Sequence, residues 1–399
     1  MLGAFQSLFA KTKELAMCQT TRRIALFFCF TLSFAALSNL AQAQTETVLF
    51  DLGLFPLAGV TLDQQGRLYG TISYGGPNGT GEVYRVARAG KGWVFSSLYN
   101  FGRPGQGDGA NPYSGVVFGP NGVLYGTTQN GGAYGYGTVF SLQPPATVCK
   151  AITCPWIETS LYSFTGGTDG AYPGYGNLAF DQAGNIYGTT YSSGNGEGVV
   201  FRLTRSGSGW AESVLWSGGN ILTGVILDSA GNVYGGTLNL VFELSPTQSG
   251  WTETTLSDAV GGGLTFDGHG DLFGITGAGA NGGDAVVYEL TPGNGTWFLH
   301  VLQDFGLQYF APVAPPTFDS QGNLYGPIPS YPSEGEGEIF KLTHTGVQWI
   351  YTPYFQFPGG SGGAGPTGAI VFDANGNMYG TTAGITTGGQ YATVWEITP

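Results

Sequence analysis

Seven times along the chain a nine-residue signature returns, best preserved as FDQAGNIYG ending at Gly188 and FDSQGNLYG ending at Gly326. The other copies are LDQQGRLYG at Gly70, FGPNGVLYG at Gly126, LDSAGNVYG at Gly235, FDGHGDLFG at Gly274 and FDANGNMYG at Gly380. Their final glycines lie 56, 62, 47, 39, 52 and 54 residues apart, the period of a propeller blade or a solenoid coil rather than of a helical repeat. Glycine makes up 71 of 399 residues, but it falls at fixed offsets beside aromatic and β-branched residues. It therefore marks turns and close-packing positions of a β-protein, not disorder.

One repeat, residues 176–216, divides into four apolar stretches separated by turn chemistry: 177–180, 185–190, 199–203 and 210–216. These predict four antiparallel strands, here a to d, with Asp181 to Gly184 as the a–b turn. The fourth stretch opens on a tryptophan in six repeats (Trp93, Trp156, Trp210, Trp251, Trp297 and Trp349), a recurrence that points to packing between blades. The seventh repeat stops after its third strand, and the missing strand stands at the other end, where residues 45–50 carry the Glu-Thr-x-Leu-aromatic pattern. An open coil has no use for such a displacement, whereas a closed ring does, because the N-terminal strand then covers the last edge. The sequence predicts an all-β fold: a seven-bladed β-propeller closed by its N-terminal strand. Prolines 312, 315, 316, 327, 329 and 332 make blade six the expected least regular sheet.

Residues 1–43 read as a signal peptide, with Arg22-Arg23, an apolar run from Ile24 to Leu37 and a cleavage site at Ala41-Gln42-Ala43. Residues 44–399 form the expected single domain, secreted, periplasmic or at the cell surface. Removing Lys11, Lys13, Arg22, Arg23 and Glu14 moves the formal charge from -13 to -16, which argues against nucleic acid as a partner. We expect no membrane span in the mature chain and a monomer. Cys149 and Cys154, four residues of chain between them, are the two cysteines left after cleavage, and we expect them to form a local disulfide.

The run G-x-L-x-F-D-x-x-G-N-L-Y-G-T-T, followed by G-x-V-F-x-L and W-x-E-x-x-L-Y-x-F, resembles the bacterial GloVer (Gloeo/Verruco) tandem-repeat family. Gly122 to Thr128, Gly137 to Phe140 and Leu161 to Phe164 carry the likeness closely. The resemblance implies an exported, propeller-like protein of unassigned activity, and it brings no catalytic residues with it.

Six signature aspartates (Asp63, Asp181, Asp228, Asp267, Asp319 and Asp373) each open a turn of their own blade, so they are read as turn caps and not as a shared metal or catalytic set. His269, His300 and His344 fall in an a–b turn, an outer strand and a c–d turn, apart from one another in sequence, and supply no metal site. Neither a catalytic residue nor a cofactor is assigned. The b–c and d–a loops share one face around the channel mouth, and there the candidate ligand-binding residues are Asp108, Asn111, Tyr113, Tyr134, Tyr136, Asp169, Tyr172 and Tyr175. Aromatic faces beside Asn and Asp acceptors suit sugars or polar peptides. The function expected is a secreted binding or interaction scaffold for an extracellular carbohydrate or protein ligand. The alternative is a propeller enzyme, a lyase or glycoside-active, on an extracellular substrate.

Overall fold

The computed structural model describes residues 44–53, 56–102, 107–145, 156–276, 285–306, 314–329, 336–384 and 392–399. From Thr45 to Thr398 the chain is one compact unit built of seven four-stranded antiparallel sheets arranged as the blades of a propeller. Blades one to six span Thr61 to Asn100, Val117 to Ser163, Ala179 to Ser217, Ile226 to Ser257, Gly263 to Asp304 and Thr317 to Gln356. Blade seven takes strands a to c from Val371–Phe372, Met378–Thr382 and Thr393–Thr398, and its strand d is Thr45–Asp51 from the other end of the chain. The closing pair runs from Thr45 opposite Thr398 to Asp51 opposite Thr393, with one irregularity between Val48 and Phe50. No helix among the described residues is long and apolar enough to cross a membrane.

Five positions of the signature have a distinct physical task. The Asp carboxylate caps the a–b turn: Asp181 accepts from the backbone N–H of Ala183 and Asn185, each at 2.9 Å, and the other five signature aspartates accept at the same two offsets. The turn glycine, Gly184 in this blade, takes φ 81°, which an L side chain rarely adopts. Asn185 Nδ2 and the Tyr187 hydroxyl donate to the second Asp181 oxygen at 2.7 and 3.1 Å. The final glycine lies opposite a strand-c aromatic whose ring crosses it. A Cβ on Gly188 would lie 2.5 Å from Phe201 Cζ, and Gly126, Gly235 and Gly326 stand likewise beneath Phe140, Phe242 and Phe340.

The strand-d tryptophans join neighbouring blades, as their recurrence suggested. Trp93 packs on Tyr379, Trp156 on Tyr69, Trp251 on Tyr187, Trp297 on Tyr234 and Trp349 on Phe273, with ring centroids 5.6 to 6.5 Å apart. In each case the partner is the strand-b aromatic of the preceding blade, so the signature tyrosine is fixed by its cap and by the next blade together. Strand-b threonines add hydrogen bonds between blades: Thr71 donates to Ser114 O, Thr189 to Thr223 O and, across the closure, Thr381 to Ala58 O, at 2.6 to 2.8 Å.

Blade six is more regular than its prolines suggested. Its strand b, Leu324–Ile328, runs through Pro327 opposite Ile339 without a break. Pro327 lies past the two-residue strand a, Thr317–Phe318, where no ladder remains on that side to be interrupted. Pro312 and Pro332 lie outside the described residues.

Candidate functional site

The segments entering strand a of all seven blades converge on the axis around a cavity of about 120 Å³. They approach through glycines: Gly176 stands against Gly224, and Gly368 against Gly59, too closely to admit a side chain. The b–c and d–a loops surround this mouth, and blades one to three hold the aromatic loops singled out in the sequence.

Two of these loops are structural copies. Gly109 and Ala110 pair with Gly131 and Asn130 of the b–c loop of blade two, and Ala171 bridges to Ser192 of blade three. Asn111 and Tyr172 occupy the same loop position with left-handed φ of 56° and 58°. Pro112 packs on Gly81 and Pro173 on Gly137. Asp108 accepts from the Tyr99 hydroxyl and the Gly102 N–H, and Asp169 from the Tyr162 hydroxyl and the Thr165 N–H. Burial alone would raise the Asp169 carboxyl, but the bonds from Thr165 and Tyr162 outweigh it and hold the group below its ordinary range.

Loop architecture takes up most of the candidate acceptors: Asn111 likewise donates to Ser73 O at 3.0 Å and accepts from Asn130 Nδ2 at 3.2 Å, while the second Asp108 oxygen is buried without a hydrogen-bond partner among the described residues. The tyrosines are what remains available. Tyr74, Tyr113, Tyr175 and Tyr191 form a continuous row across blades one to three, with centroids 5.8, 6.1 and 5.5 Å apart. The Tyr74 and Tyr113 hydroxyls are hydrogen-bonded to each other, and Gln129 Nε2 reaches the Tyr175 hydroxyl at 3.5 Å. Tyr113 and Tyr175 also line the axial cavity. Burial pushes both phenols up, with the Tyr74 hydroxyl adding to the shift at Tyr113, so both stay protonated and can donate. Tyr136 and Tyr172 make a second pair at 5.7 Å, and Tyr134 is 61% exposed beside them. Cys149 and Cys154 lie outside the described residues, as do residues 1–43.

Beneath the two copied loops sit Glu158 and Glu212, equivalent residues of strand d in blades two and three. Burial, and secondarily the charges of Asp108 and Asp169, push each carboxyl up to about 7. One oxygen of each is buried without a hydrogen-bond partner among the described residues. Only the propeller geometry brings strand d of one blade under the d–a loop of its neighbour, so sequence spacing gave no hint of this pairing.

The histidines, far apart in sequence, come together in space. His269, His300 and His344, all the histidines of the chain, line one groove of about 870 Å³ between blades five and six, near the a–b and c–d turns. Among the described residues no three His, Cys, Asp or Glu side chains are placed to hold a metal ion. A signal was present in the sequence: blade five alone replaces the signature Asn by Asp271 and the signature Tyr by Phe273.

Solved structures share the fold at low identity. A periplasmic gluconolactonase of Pseudomonas aeruginosa aligns over 79% of this chain and 92% of its own at 16% identity, TM-score 0.50. A candidate 6-phosphogluconolactonase of Bacteroides uniformis aligns over 79% and 89% at 15%, TM-score 0.50. The extracellular domain of a candidate one-component system of Bacteroides thetaiotaomicron aligns over 89% of this chain and 40% of that chain at 11%, TM-score 0.54. At such identities the likeness concerns architecture alone. No curated protein matches the chain. The Gloeobacter/Verrucomicrobia repeat profile matches residues 28–158 and 56–256, more than half of the sequence and each of the first four signatures, and the chain belongs to that family.

Proposed function

We propose that the protein is an exported binding scaffold that holds a carbohydrate or a polar peptide on the b–c/d–a face of blades one to three. The row Tyr74, Tyr113, Tyr175 and Tyr191 carries this reading: four rings in succession beside the axial depression offer stacking faces, with hydroxyls at their edges. Two copied loops side by side suit a ligand with repeating units, which gains effective concentration by engaging both. The test is a glycan and peptide array probed with residues 44–399, followed by titration of the best binder against Tyr113→Ala/Tyr175→Ala. At least a tenfold loss with an unchanged melting temperature is expected. Retained affinity would sink the assignment.

An enzyme acting on an extracellular substrate is the second reading, and Glu158 and Glu212 favour it, because carboxyls pushed up to about 7 are poised for proton transfer at neutral pH. Both lie beneath loops instead of at the open mouth, so the scaffold is preferred. Glucono-δ-lactone, suggested by the two lactonase neighbours, is the first substrate to assay. Turnover lost in Glu158→Gln would reverse the preference. The reading also includes a Cys149–Cys154 disulfide, checked by mass spectrometry of the unreduced exported protein.

A further inference from the structure

We propose that the groove between blades five and six binds a guanidinium or alkylammonium group, the place that an arginine of the protein itself fills at the junction of blades seven and one. At that junction Arg88 of blade one donates to Glu396 of blade seven at 2.7 Å and lies 4.5 Å over the ring of Trp93, its cross-strand partner. Glu396 is paired across the sheet with the signature Tyr379, whose hydroxyl also donates to it at 2.7 Å. A buried carboxylate and an indole face thus hold a guanidinium at the rim of the junction, where the Arg88 side chain stays 59% exposed.

Between blades five and six the carboxylate and the indole recur, with histidines and no Lys or Arg among the described residues that line the groove. Glu289, opposite Phe273, occupies the register position of Glu396, and Trp349 that of Trp93. The arginine position is His344, whose ring lies tilted at 44° with its centroid 5.0 Å from Trp349, and its side chain is shorter than that of Arg88. Phe273 in place of tyrosine removes the phenolic donor that Glu396 has. Asp271 in place of asparagine adds a second carboxylate and removes the amide that in blades three, four, six and seven donates to the capping aspartate, and Asp267 pairs instead with His269 Nδ1 at 3.0 Å.

The groove therefore collects Asp267, Asp271 and Glu289 around aromatic walls, and no Lys or Arg is among the described residues that line it. Burial raises Glu289 and Asp271 above the ordinary carboxylate range, Asp267 adds to the shift of both and Asp271 to that of Glu289, and the facing histidines, His300 for both, His269 for Asp271 and His344 for Glu289, offset only part of it. A metal ion does not fit, because no three of these side chains converge. A cation carried on an apolar body does, with its charge at Glu289 and its body against Trp349 and Phe273.

The same chemistry can come from a free amine or from a basic side chain of a peptide, and two probes separate them: arginine amide and the capped tripeptide acetyl-Gly-Arg-Gly-amide. Each is titrated into residues 44–399 at pH 8 and low salt by calorimetry, with citrulline amide as the uncharged isostere. Saturable binding of at least one arginine probe is expected, with citrulline amide at least tenfold weaker. The tighter of the two probes identifies the source. His344→Arg should fill the groove from within and reduce binding at least tenfold without lowering the melting temperature. Glu289→Gln should weaken binding comparably, whereas Glu243→Gln, the same register position in blade four, should leave it unchanged. Absence of saturable binding by either arginine probe, equal binding of citrulline amide, or full binding by His344→Arg would overturn the proposal.

Discussion

Ring closure can be tested at a single side chain. Leu49 is the buried residue of the closing strand, 7% exposed, and it packs in a cluster that draws Leu52 from the same segment, Tyr379 and Val394 from blade seven, and Val60, Leu68 and Tyr84 from blade one. Leu49→Ala removes the contact that pins the strand between two blades. Truncation of a buried leucine costs about 2–5 kcal/mol, and a strand at the outer edge of its sheet should lie near about 3 kcal/mol because the site can partly collapse. An unfolding entropy of about 2.1 cal/mol/K per residue, over a ring of roughly 350 residues, converts that to a fall of about 4 °C in Tm. Differential scanning calorimetry of residues 44–399 reads the shift, and Thr47→Ala, on the exposed side of the same strand, serves as control with an expected change under about 1 °C. Removing residues 44–52 should lower Tm further, because it strips the ladder from strand c of blade seven and opens the ring. If Leu49→Ala melts with the control and the truncated chain melts with the parent, the N-terminal strand does not belong to the cooperative unit and the closure argument fails.

Gly188→Ala should cost about 1–3 kcal/mol, since its Cβ would lie 2.5 Å from Phe201 Cζ and 2.7 Å from Leu178 Cδ2. Phe201→Leu in the same chain should recover part of that loss, and simple additivity in a double-mutant cycle would refute the crossing-ring account. The Glu158 and Glu212 carboxyls are raised on folding, so their contribution to stability is fully present below the unfolded value and is lost as pH rises through about 7. Replacing both by Gln should flatten the fall in Tm between pH 5 and 8, and an unchanged slope would show that burial does not raise them. Tyr172→Asn should hold or raise stability by up to about 1 kcal/mol, because asparagine tolerates φ 58° and already serves at Asn111, while ligand affinity falls. A large loss of stability would mean that the Tyr172 ring is structural.

The fold was legible because each signature residue acts locally or at a fixed offset within the repeat. Asp181 caps its own turn, Gly184 supplies that turn's positive φ, and Trp251 recurs one blade after Tyr187, so the period itself encodes the contact. The candidate site was legible only in part. Tyr113 and Tyr175 stood out because aromatic loop residues have no packing duty in the repeat, whereas Asp108, Asn111 and Asp169 looked like free acceptors from sequence alone. Their hydrogen bonds come from Tyr99, Asn130 and Tyr162, side chains whose approach depends on loop geometry that no spacing rule supplies. The histidine groove was missed for a related reason. His300 and His344 sit in different repeats at unlike offsets, and only the stacking of blade five on blade six brings both to one groove.

A ring of near-identical blades is a poor place for a ligand unless something breaks its symmetry, because every junction would offer the same weak surface. The positions that hold blades together vary little: the final glycine is kept in all seven signatures, the capping aspartate in six and the strand-d tryptophan in six blades. Divergence is therefore confined to loop tips and to the few strand positions whose side chains reach a junction from its rim. Arg88 and His344 are one such position in two blades, and the difference between them turns a self-filled junction into an open one. By the same logic the tyrosine row belongs to blades one to three, where two d–a loops retain one backbone path but exchange Asn111 for Tyr172. Departures from the repeat, weighed against what the repeat must keep, point to both surfaces more directly than residue type alone.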